Sequence, residues 1–142
     1  RFFYSTSMLY KLVSNTYTRY NTSLYNKLDK GSQRREIVKE TQLLKGVLEG
    51  CVLQVIAQKE IYGYELVQEL KQRGFETIVG GTIYPLLQKL EKQELITSEM
   101  KKSPEGPDRK YFSITPKGID YLAQFREQWT NLMKKVEGLF KE

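Results

Sequence analysis

A mainly α-helical fold with one small β-hairpin is predicted by three features of the sequence. Apolar residues recur at helical spacing from Leu43 to Ile56 and along two shorter segments after it. Between Leu95 and Thr115 the pattern switches to alternation, and a heptad repeat then closes the chain. At 142 residues and 16.7 kDa there is room for a real core but not for two. No apolar run approaches the ~20 residues of a bilayer span, and Phe2-Phe3 does not open a secretory signal. The chain has no histidine, and Cys51 is its only cysteine. His-based acid–base chemistry, His-ligated zinc, Cys-rich metal sites and intramolecular disulfides are therefore excluded. A reducing cytoplasm is the simplest home for such a chain.

Residues 1–35 read as an N-terminal extension, peripheral to the fold or foreign to the natural protein. They are rich in Tyr, Thr, Ser and Asn, hold five of the ten tyrosines and begin with Arg1. Leu9, Leu12, Val13, Leu24 and Leu28 are too scattered to form a helical stripe.

Residues 36–115 carry the folded domain. Leu43, Leu44, Val47, Leu48, Cys51, Val52, Val55 and Ile56 predict one largely buried helix over 37–58, with Cys51 as a small core residue. Tyr62-Gly63-Tyr64 reads as punctuation. A second helix follows with Leu66, Val67 and Leu70 inward and Gly74 as its stop. Gly80 and Gly81 supply a turn before a third helix, with Thr82 as N-cap and Pro85 tolerated in the first turn. Its inward side is Ile83, Leu86, Leu87 and Leu90. Leu95–Lys101 and Lys110–Thr115 alternate as two strands, and Lys102–Asp108 between them is a turn-rich, exposed tip. Residues 116–142, opened by Pro116 and Gly118, form the last helix. There Leu122, Phe125, Trp129, Leu132, Val136 and Leu139 fall at spacings of 3, 4, 3, 4 and 3. That is a heptad seam, too short to be a secure coiled coil alone and suited to a dimer interface with a symmetry mate.

Three helices, a hairpin and a long terminal helix make a winged helix-turn-helix with a C-terminal dimerisation helix. The physical logic of that arrangement is DNA reading: two helices hold a third so that its N-terminal turn enters the major groove. The candidate contacts are Gly81, Thr82, Tyr84, Pro85 and Lys89 on the reading helix, with Lys101, Lys102, Arg109 and Lys110 at the hairpin, where Glu105 and Asp108 dilute the charge. Tyr84 stacks on a sugar or bonds a phosphate in one reading, and packs against the second helix in the other. A two-fold dimer sets two reading helices roughly 34–36 Å apart, matching a palindromic operator.

The charge places limits on this. The net charge is +6, but Arg1, Lys11, Arg19, Lys27 and Lys30 against Asp29 put +4 of it in residues 1–30. The remainder is only +2, so a nucleic-acid surface there must come from charge placement rather than bulk excess. An arm at residues 1–35 that touches DNA or a neighbouring subunit is the sharper reading of that segment. Trp129 is explained by the seam alone; with Phe125 and Met133 it could equally wall an aromatic effector site between subunits. An enzyme is disfavoured, for want of a nucleophile elbow, a P-loop or a convincing acid–base pair. A winged-helix protein-interaction adaptor that reads no DNA is the alternative.

Six motifs in order carry a family resemblance: Tyr62-Gly63-Tyr64-Glu65-Leu66, Gly81-Thr82-Ile83-Tyr84-Pro85-Leu86-Leu87, Leu90-Glu91-Lys92, Leu95-Ile96, Arg109-Lys110-Tyr111-Phe112 and Thr115-Pro116-Lys117-Gly118. Together, over about residues 43–140, they resemble the PadR family of bacterial transcription regulators, in its short form with a single C-terminal helix. The resemblance implies a homodimeric, operator-binding repressor released by a small hydrophobic or phenolic effector, with no cofactor. It places the reading helix on Gly81–Glu91 and the wing on Lys101–Lys110. One departure is Glu94, where many relatives have glycine. If that position is left-handed, Glu is the costlier residue, and the turn from helix to wing is expected to differ locally.

Overall fold

A computed structural model describes residues 40–141, so the expectations for residues 1–35 lie outside it. The described elements are α1 (Glu40–Leu44), α2 (Leu48–Gln58), β1 (Ile61–Tyr62), α3 (Gly63–Gln72), α4 (Gly80–Lys92), β2 (Ile96–Ser103), β3 (Gly106–Ile114) and α5 (Pro116–Phe140). This is the mainly helical winged helix-turn-helix with a long last helix. Among the described residues, 40–136 form one compact unit.

The predicted helix over 37–58 is instead two helices, broken at Lys45-Gly46-Val47. The Val47 amide closes the turn on the Leu44 carbonyl at 3.0 Å. Gly46 costs a helix interior about 1 kcal/mol, and a side chain there would meet nothing within 4 Å that could offset the cost. Leu43, counted in the apolar stripe, is accordingly 70% exposed.

The core lies where α2, α3 and α4 meet the sheet. Val52, Leu53 and Ile56 of α2 join Leu66 and Leu70 of α3 and Ile83, Leu87 and Leu90 of α4, closed by Ile61, Ile96 and Phe112. These are the helical-period and alternating positions of the sequence, which is why patterning alone locates the core.

Helices α3 and α4 end on the same device. Beyond α3, Gly74 is left-handed (φ 100°); its amide bonds the Lys71 carbonyl and the Phe75 amide bonds the Leu70 carbonyl, both at 3.0 Å. Beyond α4 the Glu94 amide bonds the Glu91 carbonyl at 2.9 Å and the Leu95 amide bonds the Leu90 carbonyl at 3.0 Å. Glu94 itself is left-handed, with φ 61°. The turn keeps the glycine-type backbone with a glutamate in it, contrary to the expected local difference. The cost of that conformation for a residue with a Cβ is about 1 kcal/mol. The exposed Glu94–Lys117 contact at 3.6 Å returns little of it. Glu94→Gly is therefore expected to raise thermal stability by about 0.5–1 kcal/mol, a Tm gain of a few degrees in a scanning calorimeter. A lower Tm would mean that the turn is held by the glutamate side chain.

The sheet has three strands in the order β1-β3-β2, all antiparallel, rather than the two of a hairpin. Tyr62, read as punctuation with Gly63 and Tyr64, pairs with Tyr111, and Ile61 before it pairs with Phe112. The hairpin is also longer than expected. Pairing continues to Ser103 opposite Gly106, so the tip shrinks from Lys102–Asp108 to Pro104-Glu105. Pro107 is tolerated in β3 because β1 covers only Tyr111 and Phe112, which leaves β3 an edge strand near the tip.

At the start of α5, Thr115 Oγ1 accepts the Gly118 amide at 2.9 Å and donates to the Glu94 carbonyl at 2.7 Å. Thr115 thus caps the helix, Pro116 takes the first helical position, and the Thr115-Pro116-Lys117-Gly118 motif is a helix start. Gly118 is there for space: a Cβ on it would sit 2.1 Å from the Leu95 carbonyl oxygen.

Candidate nucleic-acid interface

The leading turn of α4 differs from the expectation. The helix begins at Gly80 with Val79 in the N-cap position, and no side chain caps it. Thr82 is not the cap: its amide bonds the Val79 carbonyl at 3.0 Å and its side chain is exposed in the first turn. Both glycines are helical rather than part of a preceding turn. Pro85 lies in the second turn rather than the first, where its missing N–H leaves the Gly81 carbonyl without its i+4 donor. Gly81 is open, with nothing within 4 Å of the place a Cβ would take. The outcome is a helix end with no side-chain cap, open at Gly81 and covered at Gly80 by the Tyr84 ring.

Of the two roles left open for Tyr84, packing against the second helix is the one the structure shows. Its ring lies against α3, where a Cβ on Gly63 would fall 2.5 Å from it, and a Cβ on Gly80 would fall 3.1 Å away. Two glycines thus make its seat. The side chain nevertheless stays 49% exposed.

Consecutive strand residues point to opposite faces, so Arg109 and Lys110 diverge. Arg109 stacks its guanidinium 4.6 Å from the Tyr62 ring centroid, beside Tyr111, over whose ring Lys101 lies at 5.4 Å. Lys110 turns to α4, donating to Glu91 Oε2 at 2.9 Å. Both still border one cleft of about 270 Å³, together with Tyr62, Tyr64 and Tyr84. Tyr62 and Tyr64, which line this cleft, and Tyr111, which lies beside Tyr62, are not among the contacts expected from the sequence. The signal was present: Tyr62-Gly63-Tyr64 adjoins the second helix, and Tyr111 alternates with Lys110 on a basic strand.

Each of three predicted contact lysines meets a carboxylate. Lys101 bonds Glu60, Lys110 bonds Glu91 and Lys89 bonds Glu49. Glu91 also accepts a hydrogen bond from the Ser98 hydroxyl; that bond and the Lys110 ammonium hold its carboxyl below the usual glutamate range. Glu60 in turn holds the Lys101 ammonium above its usual range. Lys89 is not brought to the wing. It lies about 200° around α4 from Glu91 and joins α2 and α5 through Glu49, which also accepts from the Tyr121 hydroxyl at 3.2 Å. Burial, then the adjacent Glu49 carboxylate, pushes the Tyr121 hydroxyl pKa up. Lys102 is exposed, at the irregularity in β2 between Lys101 and Ser103.

The seam on α5 divides. Leu122 is buried in its own chain's core, and Phe125 is half-buried over Gly50, where a Cβ would come within 2.1 Å of its ring. From there on the apolar side chains face outward: Trp129 is 42% exposed and Leu132 54%, with Met133, Val136 and Leu139 likewise open. Phe125 also lines a groove of about 400 Å³ between α2, α3 and α5, beside Cys51, Phe75 and Leu122; Trp129 and Met133 do not line it. Cys51, expected in the core, is instead half-buried on the wall of this groove and outside the core cluster; burial raises its thiol pKa. Among the described residues no group of His, Cys, Asp and Glu could hold a metal ion, and no helix is long and apolar enough to cross a membrane.

Comparison with known proteins bears on what this surface serves. The family model described as the transcriptional regulator PadR-like family matches residues 52–124. A transcriptional regulator of Mycobacterium tuberculosis is 33% identical over 87 residues, 61% of this chain and 79% of that protein. The crystal structure of a Streptococcus transcriptional regulator is 64% identical, with a TM-score of 0.64, and the match covers 70% of this chain and 98% of that one. A PadR-like transcriptional regulator from Bacillus cereus is 46% identical, with a TM-score of 0.65, over 71% of this chain and 98% of that one.

Proposed function

Because the chain belongs to the PadR-like family of transcriptional regulators, we propose that it is a cytoplasmic, homodimeric repressor of the operators it reads. In this reading α4 enters the major groove with its uncapped N-terminus, the wing lies over flanking phosphates, and α5 joins two copies. The observation that carries it is one cleft bordered both by the half-exposed Tyr84 of the reading helix and by the stacked Arg109 of the wing. An exposed helix N-terminus favours anionic oxygens, and an arginine flattened on an aromatic ring is held ready for phosphate. The outward apolar stripe of α5 from Trp129 to Leu139 supports the dimer. A small hydrophobic or aromatic effector, held near Trp129 with Phe125 and Met133, would release the DNA by re-angling the two heads.

The test is a mobility-shift titration on the DNA upstream of the protein's own gene, against scrambled competitor, with and without planar aromatic compounds. Specific retention that such a compound relieves is the expected result. Arg109→Ala with Lys110→Ala is expected to weaken binding to every sequence and to flatten its salt dependence by about 0.9, the share of the unpaired Arg109, since Lys110 is already paired with Glu91. Unchanged affinity and slope would remove the wing from the mechanism. Wild-type binding no tighter than roughly 10⁻⁴–10⁻⁶ M would instead favour a protein-interaction adaptor.

A further inference from the structure

We propose that Glu60 and Glu91 are specificity-determining residues: their carboxylates hold the wing lysines Lys101 and Lys110 back from phosphate, lowering affinity for DNA of any sequence. The inference rests on the DNA-reading role above and adds to it what keeps that reading selective.

Neither acid belongs to the hairpin. Glu60 precedes β1 and Glu91 lies in the last turns of α4, yet each reaches across to a lysine of the wing. Each is also approached from its other side by a wing serine. The Ser98 hydroxyl donates to Glu91 Oε1, and the Ser113 hydroxyl lies 3.5 Å from Glu60 Oε1. The carboxylates are therefore built into the sheet's margins rather than swinging free in solvent. Lys101 and Lys110 lie on opposite faces of β2 and β3, and each face has its own acid.

The energetic consequence is direct. Both pairs are solvent-exposed and can open, but a paired lysine that meets a phosphate exchanges one anion for another, which gains less than a free ammonium would. The exchange also strands a carboxylate beside the DNA backbone, and like charge at that distance is repulsive. Sequence-independent affinity comes from lysines and arginines that release counterions. Pairing two of them internally subtracts from that term, while leaving contacts to base edges untouched. Among the described residues Arg109 is in no ion pair, and it stacks on Tyr62 instead. The wing thus sets two restrained lysines, Lys101 and Lys110, beside Arg109 and the exposed Lys102, which is likewise in no ion pair among the described residues.

The experiment uses the full chain and a duplex of scrambled sequence, with binding followed by fluorescence anisotropy across a range of salt. The Glu60→Gln, Glu91→Gln double variant is expected to bind about tenfold tighter at low salt. Its log K against log salt should steepen by about 0.9 for each lysine set free. A merely structural role for the pairs would lower the melting temperature and leave the slope alone. An unchanged or weaker affinity with an unchanged slope, in a variant that melts cooperatively, overturns the proposal. If the double variant does not fold, Glu60→Gln alone carries the test, since Glu60 sits outside the helices; a steeper slope supports the proposal and an unaltered one overturns it. Wild-type protein that binds no duplex even at low salt would overturn the DNA-reading role itself, and this inference with it.

Discussion

Gly118→Ala is expected to cost the domain about 2 kcal/mol or more, lowering the melting temperature by roughly 8 °C or more. The added methyl would stand 2.1 Å from the Leu95 carbonyl oxygen and close to the Ile114 side chain. Overpacking against a side chain costs about 1–3 kcal/mol because neighbours shift rotamer. A backbone carbonyl fixed at the end of a Schellman turn has no rotamer to change, so the cost falls at or above that range. Alanine's better helix propensity returns about 1 kcal/mol. Thermal denaturation followed by circular dichroism measures the balance. A Tm within a degree of wild type would show that α5 can lift off Leu95 without penalty, and that the junction is not tightly packed.

The second large effect is expected on assembly. Leu132→Asp with Val136→Asp puts two carboxylates on the outward stripe of α5, where the wild-type side chains are open in the single chain. Burying an unpaired charge in a subunit seam is opposed by several kcal/mol, enough to shift a dimer to monomers at micromolar concentration by a hundredfold or more. Analytical ultracentrifugation reads this directly. The fold of each chain should persist, because neither residue belongs to the core cluster. A variant that still sediments as a dimer would place the interface elsewhere. Leu122→Asp is the wrong probe, since Leu122 is buried in its own chain and its loss would unfold the head before testing the seam.

How far the sequence disclosed all this depended on the kind of signal each residue carries. Period and alternation placed α3, α4, both wing strands and the core, because burial imposes those patterns directly. The terminal heptad gave α5 but could not separate the part of its stripe that packs on its own domain from the part left open. Leu122 and Phe125 turn to their own domain and Trp129 onward turns out, and only Gly50 opposite Phe125 marks the change. Strand β1 has two residues, too few for any period to show. The helix break at Gly46 and the start at Gly80 both hang on glycines, which are equally compatible with a turn or a helix. Thr82 is a good cap residue by type, yet Val79 took the position, so composition named a plausible cap and the backbone chose another. Of the candidate DNA contacts, Tyr84, Arg109 and Lys110 converge on one cleft. Lys89 is drawn away by Glu49, since ion pairing across forty residues leaves no local mark in a sequence.

The joint formed by Thr115, Glu94, Leu95 and Gly118 also has a mechanical meaning. It fastens the base of α5 to the tail of α4, so the two helices share a fulcrum. From Gly118 to Val136 the lever arm is about 27 Å, and α4 extends about 20 Å from its tail to Gly80. A displacement of about 3 Å at Val136 turns the joint by roughly 6° and carries Gly80 through about 2 Å. Hydrogen bonds to base edges tolerate a few tenths of an ångström. In the proposed repressor, a wedge driven between two such levers would therefore unseat a reading head without touching it.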